Sequence, residues 1–198
     1  MLIVISAEKL IENEESQLKS MFDAGLETLH IRKPEVSFEE LKTWLENFEL
    51  GYRSKMVLHQ HHELAREFGL KGVHLPEYFR TSLKETLEDY VNTFQHLKFT
   101  VSTSFHQKEK ISRTSIFDYC FLSPIFNSIS KTGYVGKTFQ VLDIQQKVIA
   151  LGGIDAAKIP LAYNMGFYGV AVLGAVWLQE DPIHSFIKIQ QQYESVFN

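Results

Sequence analysis

The stretch Val148-Ile149-Ala150-Leu151-Gly152-Gly153-Ile154-Asp155 decides the fold when it is read with Gly169-Val170-Ala171-Val172-Leu173-Gly174 downstream. Each is a short apolar run that ends in glycine, which reads as a strand entering a tight turn. Between them Asp155 can cap a helix over Ala156–Met165, and Gly166 stops it. Strand, helix, strand in that order calls for parallel pairing.

Outward from this unit the same rhythm covers the chain. The apolar runs are Leu2–Ser6, Thr28–Ile31, Met56–Leu58, Gly72–Leu75, Lys98–Ser102, Asp118–Leu122, Val148–Ala150 and Gly169–Leu173. Helical spacing separates several of them. Glu14–Ala24 places Leu18, Met21 and Phe22 on one face before Gly25. Phe38–Phe48 repeats the pattern, with Ser37 as N-cap and Glu40 three residues on. His61–Phe68 ends at Gly69, and Pro182–Phe197 closes the chain. Eight strand–helix units argue a (β/α)8 TIM barrel as one domain over residues 1–198.

Composition bounds the function. The 198 residues carry 20 Lys+Arg against 24 Asp+Glu, a net charge of −4 with no basic footprint for nucleic acid or an anionic membrane. Cys120 is the only cysteine, which excludes an internal disulfide framework and a cysteine-built zinc site. The apolar runs fall far short of the ~20 residues of a spanning helix. Met1–Ile5 has no basic leader and reads as the first strand. The expectation is a cytoplasmic protein with a small-molecule ligand; a homodimer is the assembly expected if the chain oligomerises.

In such barrels chemistry sits at the C-terminal strand ends. Strand two ends Leu29-His30-Ile31-Arg32, so His30 and Arg32 point to one side. A buried Arg32 needs an anion, either a phosphate or an internal carboxylate. Strand three ends His59-Gln60-His61-His62; a metal reading of the histidines competes with the first turn of a solvated helix, and the latter is preferred. His74, on strand four, reads as core or wall in preference to a catalytic role. Ser104 and His106, after strand five, can donate to an oxyanion, or Ser104 can cap a helix. The loop after strand six holds Ser128, Ser130 and Lys131, a composition that suits phosphate. Gly152, Gly153 and Gly174 follow strands seven and eight, where backbone N–H groups can approach a phosphate closely.

The sequence resembles the thiamine-phosphate synthase/TenI family through Leu-His-Ile-Arg, Gly-Val-His-Leu, Val-Ser-Thr-Ser-Phe-His, Ser-Pro-Ile-Phe-Asn-Ser-Ile-Ser-Lys, Ala-Leu-Gly-Gly-Ile and Gly-Val-Ala-Val-Leu-Gly-Ala-Val. The resemblance implies a (β/α)8 barrel and an enzyme of thiamine biosynthesis. It implies that Arg32 contacts a pyrophosphate and that Ser128, Ser130 and Lys131 belong to the loop closing on the substrates. Gly152, Gly153 and the Leu173–Gly174 backbone would hold a thiazole phosphate. Ser104 and His106 match the family's Ser-x-His turn. The chain also departs from the pattern. His59-Gln60 stands where the synthase has Asn-Asp, and its second acidic position falls at about Phe79. Those aspartates hold Mg²⁺, so no metal or cofactor is expected here, and Mg²⁺ only if the chain is a synthase. His30 replaces a glutamine and Pro34 a lysine. The retained thiazole-phosphate half resembles the TenI branch, a metal-independent thiazole tautomerase, although that branch's catalytic histidine aligns with Pro124. The expected acid/base candidates are His30, His59 and His106, in that order, with Arg32 holding His30 neutral. Synthase activity and a non-catalytic pathway binder are the alternatives.

Overall fold

The computed structural model describes residues 1–113, 116–127 and 139–197. Among them, β1 (Leu2–Ile5), β2 (Leu29–Ile31), β3 (Met56–Leu58), β4 (Gly72–Leu75), β5 (Thr100–Phe105), β6 (Tyr119–Leu122), β7 (Val148–Leu151) and β8 (Gly169–Val172) close a parallel barrel in sequence order, β8 against β1. The expected (β/α)8 architecture is the observed one.

Strand alternation divides the side chains between two layers. Ile3, Ile5, Tyr119, Phe121, Ile149 and Ala171 pack inside the barrel. His30, His74 and Ser102 are equally buried, so polar side chains share the interior. Residues facing outward, such as Val4, Leu29, Ile31, Val73 and Val101, join the core beneath the helices.

The helices follow their capping and stop signals. α1 (Glu14–Asp23) buries Leu18, Met21 and Phe22 and ends before Gly25, whose φ is +105°. α2 (Phe38–Glu46) starts in a complete capping box, the Ser37 hydroxyl and Glu40 carboxylate each accepting from the other's backbone N–H. α3 (Leu50–Arg53), α4 (Glu63–Glu67), α5 (Glu77–Ser82) and α6 (Leu87–Gln95) lead to β5. α7 (Ile159–Asn164), α8 (Gly174–Trp177) and α9 (Pro182–Phe197) follow β7, and α9 packs on α1, α7 and α8.

Several boundaries differ from expectation. The strand expected over Lys98–Ser102 starts at Thr100, because Lys98 has φ +68° in the preceding turn; its end moves to Phe105, which places Ser104 on the strand. The helix expected from His61 starts at Glu63, because His61 has φ +53°. Ala156–Lys158 forms a 3₁₀ turn, and α-helix begins at Ile159, with Pro160 in the first turn where no N–H is needed. No helix among the described residues is long and apolar enough to cross a membrane.

Candidate functional site

A cavity of about 650 Å³ opens at the C-terminal ends of the strands. Its apolar floor comes from Ile5, Phe121, Leu151, Ala171 and Leu173. Gly152, Gly153 and Gly174 border it on the β7–β8 side, and Arg32, His59, His74 and Ser104 on the β2–β5 side. Glu8, Glu77 and His106 stand at the same opening.

The polar wall is a set of imidazoles held by strand register. β4 pairs His74 with Ser102 of β5, and β5 pairs Ser102 with Tyr119 of β6. His30 Nδ1 shares a hydrogen bond with His59 Nε2 at 3.0 Å, and His30 Nε2 shares one with the Tyr119 hydroxyl at 2.6 Å. His74 Nδ1 meets Ser102 Oγ at 2.9 Å and its Nε2 meets Ser104 Oγ at 2.8 Å. The rings of His59 and His74 stack at 4.2 Å. Burial pushes His30 down to about 3, with the Lys71 charge adding to it. Burial also holds His59 and His74 well below the usual histidine range, and their histidine neighbours lower them further. The cluster is therefore neutral at pH 7.

These facts correct several expectations. His30 does point inward, but it lies beneath the cavity and does not line it. Its neutrality comes first from desolvation, not from Arg32. His59 is buried, 7% exposed, and not at a solvated tip. His62 is buried as well, its Nδ1 at 2.8 Å from the Tyr90 hydroxyl and its Nε2 donating to the His74 carbonyl. Arg32 is partly exposed and already paired, donating to Glu8. Ser104 caps no helix; it holds His74. His106 stands half exposed at the rim, where Nδ1 donates to the Ser123 carbonyl at 2.9 Å and Nε2 lies 3.7 Å from Glu77. Ser128, Ser130 and Lys131 lie outside the described residues.

Gly152 and Gly153 have φ of +96° and +68°, a region that favours glycine. They also run close beneath the β6 loop. A Cβ on Gly153 would lie 2.2 Å from the Asn127 carbonyl oxygen, and one on Gly152 2.9 Å from Pro124 Cα.

The positions that should hold Mg²⁺ do not fit it. Magnesium needs oxygen ligands in octahedral array, chiefly carboxylate and water. His59 is committed to the imidazole cluster, Gln60 donates to the Lys33 carbonyl, and Phe79 packs against the rings of His62 and Tyr90. The carboxylates at the opening are occupied with cations: Glu8 with Arg32, and Glu77 with Arg80 and Lys110. The ring nitrogens of His30, His59 and His74 come within 4.8 Å of one another, a nitrogen donor set that suits zinc and not magnesium. Both nitrogens of His30 and of His74 are hydrogen-bonded inside the protein.

The sequence favours His74 as core or wall over a catalytic role, and it singles out neither Tyr119 nor Lys33, which is fully buried. The signal was present for the first two as inward parity along β4 and β6, but only the register brings them to His30.

A closed (β/α)8 barrel with its cavity at the C-terminal strand ends defines the class: a barrel built as the enzymes of this fold are. The comparisons supply the family. The family model described as thiamine monophosphate synthase (TMP-TENI) matches residues 1–176, and the chain belongs to that family. It is 26% identical over 183 residues to the thiamine-phosphate synthase of Bacteroides fragilis, covering 84% of this chain and 87% of that one. The thiamine phosphate pyrophosphorylase of Bacteroides thetaiotaomicron superposes with a TM-score of 0.73 at 25% identity over 98% of this chain and 97% of the other. That of Pyrococcus furiosus gives a TM-score of 0.79 at 17% identity over 100% and 96%, a likeness of fold.

Proposed function

We propose that this chain binds a thiazole phosphate at the mouth of the barrel and moves a proton on the ring, a tautomerase-type reaction that needs no Mg²⁺. The observation that carries the reading is the neutral His59–His74 wall facing the same cavity as Gly152, Gly153 and Gly174. Backbone N–H groups of the β7 and β8 loops would take the phosphate, the apolar floor the ring, and His59 the proton. Arg32 and Ser104 would orient the ligand's polar edge, and Ser128, Ser130 and Lys131 would close over it. The protein is read as one domain, acting in the cytoplasm, with a homodimer as the assembly if the chain oligomerises.

Calorimetry in EDTA tests binding: thiazole phosphate should bind at micromolar Kd, and the unphosphorylated thiazole alcohol at least about tenfold more weakly. A rate assay on a carboxythiazole phosphate tests turnover. His59→Asn should lower kcat by about 10²-fold, the usual effect of losing a general base. Equal affinity for alcohol and phosphate would reject the phosphate assignment.

The Bacteroides fragilis relative is named a thiamine-phosphate synthase, which favours a second reading, the synthase reaction the family resemblance implies: joining of a pyrimidine diphosphate to the thiazole phosphate. It requires diphosphate binding that tightens with Mg²⁺, which calorimetry repeated with Mg²⁺ in place of EDTA measures.

A further inference from the structure

We propose that His30, His59 and His74 bind a zinc ion on the inner wall of the cavity, with its fourth coordination position open to that cavity. The inference goes beyond the tautomerase-type reading and does not depend on it. One ring nitrogen of each histidine lies within 4.8 Å of those of the other two, and among the described residues no other three histidine, cysteine or carboxylate side chains converge so closely. His30 stands on β2, His59 directly follows β3 and His74 lies on β4, so three consecutive strands hold them. His30 Nδ1 and His59 Nε2 are already 3.0 Å apart. Zn–N bonds of about 2.1 Å in a tetrahedron put two ligand nitrogens about 3.4 Å apart, so this pair needs little movement. His30 meets the other rings edge-on, at 83° to His59 and 68° to His74. His59 and His74 line the cavity and give the metal its way in.

Two of the rings are already held as metal ligands are held. A ligating histidine gives one ring nitrogen to the metal and is oriented by a hydrogen bond at the other. His30 has that second bond from Nε2 to the Tyr119 hydroxyl at 2.6 Å, and His74 has it from Nδ1 to Ser102 Oγ at 2.9 Å. Both hydroxyl partners are buried. Binding exchanges two contacts, the hydrogen bond between His30 and His59 and that of His74 Nε2 with Ser104 Oγ at 2.8 Å. Ser104 lines the cavity, so its hydroxyl can turn to water there. His74 stacks on His59 at 4.2 Å with 29° between the rings, and it must turn about Cβ–Cγ to aim Nε2 at the metal. The cavity on its open side leaves room for that turn. Three nitrogen ligands leave a fourth position for water or an anion, the arrangement of an open zinc site. Water on such a zinc has a pKa of about 7, so hydroxide there offsets part of the buried charge. An all-imidazole set favours zinc over Mg²⁺ and Ca²⁺, which take oxygen ligands. Coordination through His59 Nε2 uses the ring's one lone pair and leaves Nδ1 protonated. The zinc-loaded protein then has no base at His59, so metal binding and proton transfer exclude each other.

Calorimetry of the whole chain, stripped with EDTA and dialysed, tests the site. Zn²⁺ should bind one-to-one at micromolar Kd or tighter, and Mg²⁺ and Ca²⁺ should not bind. Nitrogen-15 NMR with labelled histidine should show Zn²⁺ moving the ring signals of His30, His59 and His74, while those of the exposed His96 and His184 stay in place. Co²⁺ in place of Zn²⁺ should give the strong visible absorption of a tetrahedral site. His74→Gln should weaken Zn²⁺ binding at least about 100-fold, and Tyr119→Phe, which frees the His30 ring, about 10- to 100-fold. His96→Gln and His184→Gln should bind as the unaltered protein does. Zn²⁺ that moves only the exposed histidines would overturn the proposal, as would undiminished one-to-one binding in folded His74→Gln. A Kd of about 1 mM or weaker in the unaltered protein would overturn it too. None of these measurements needs turnover, so they decide the site even where the tautomerase reading fails. If carboxythiazole phosphate is turned over, stoichiometric Zn²⁺ should stop the reaction and EDTA should restore it. Full turnover by the zinc-saturated protein would place the metal away from His59 and overturn the site.

Discussion

Arg32 shows how a residue's neighbours settle what it can do. Its guanidinium stands at the cavity mouth, where the family resemblance places a pyrophosphate contact, but it is neutralised by Glu8. Removing that carboxylate charge should return the cation to an anionic ligand. Glu8→Gln is therefore expected to raise affinity for inorganic pyrophosphate about two- to fivefold, the range of a partly exposed ion pair, and calorimetry reads it directly. Gly153 works in the opposite sense. Gly153→Val would be the natural substitution to weaken phosphate binding in an intact barrel, yet its Cβ meets the Asn127 carbonyl at 2.2 Å. The variant should lose stability by displacing the Pro124–Asn127 segment as well as losing phosphate affinity, so thermal denaturation and binding should fall together.

The elements bordering the cavity are tied by a few strong contacts. The segment from β1 to α1 carries Glu8 and is pinned by Lys33, whose ammonium donates to the Ala7 and Lys9 carbonyls and to Glu14 Oε2 at 2.7 Å. Both members of this pair are essentially inaccessible. Burial pushes the Glu14 carboxyl up and the Lys33 ammonium down, and their mutual attraction opposes both shifts. Glu14→Gln strands a buried cation and should cost about 3–5 kcal/mol in urea denaturation. A loss under 1 kcal/mol would mean that water reaches Lys33. Ser37→Ala, which opens the capping box of α2, should cost about 1 kcal/mol.

For the molecule as a whole, the buried histidines set the pH response. His30 is lowered to about 3 and His62 to about 4, both chiefly by burial. Their folded values lie below the unfolded value near 6.5. The unfolded chain therefore binds protons first as pH falls. Stability should be level above pH 6.5 and decline from there toward pH 3–4. Between pH 6.5 and 5 the loss should be about 2 kcal/mol for each such histidine. Chemical denaturation across pH 8 to 4.5 measures it, and an unchanged midpoint between pH 7 and 5 would contradict a neutral interior cluster.

The sequence by itself determined the barrel and the side of it that carries the site. Eight apolar runs, the Ser37–Glu40 box, the Asp155 cap and the stops at Gly25, Gly69 and Gly166 are local signals, and the structure has a strand, cap or turn at each, with strand ends shifted by a few residues as at Lys98. It also showed that His59, Gln60 and Phe79 are poor magnesium ligands, because that follows from residue type. Only the tertiary structure decided which polar groups meet. His30, His59, His74, Ser102 and Tyr119 lie on five consecutive strand–loop units, far apart in sequence. Their hydrogen bonds depend on register and on barrel closure, which no local pattern encodes. Burial, the main cause of their neutral state, likewise comes into being only when the barrel closes and water leaves its interior.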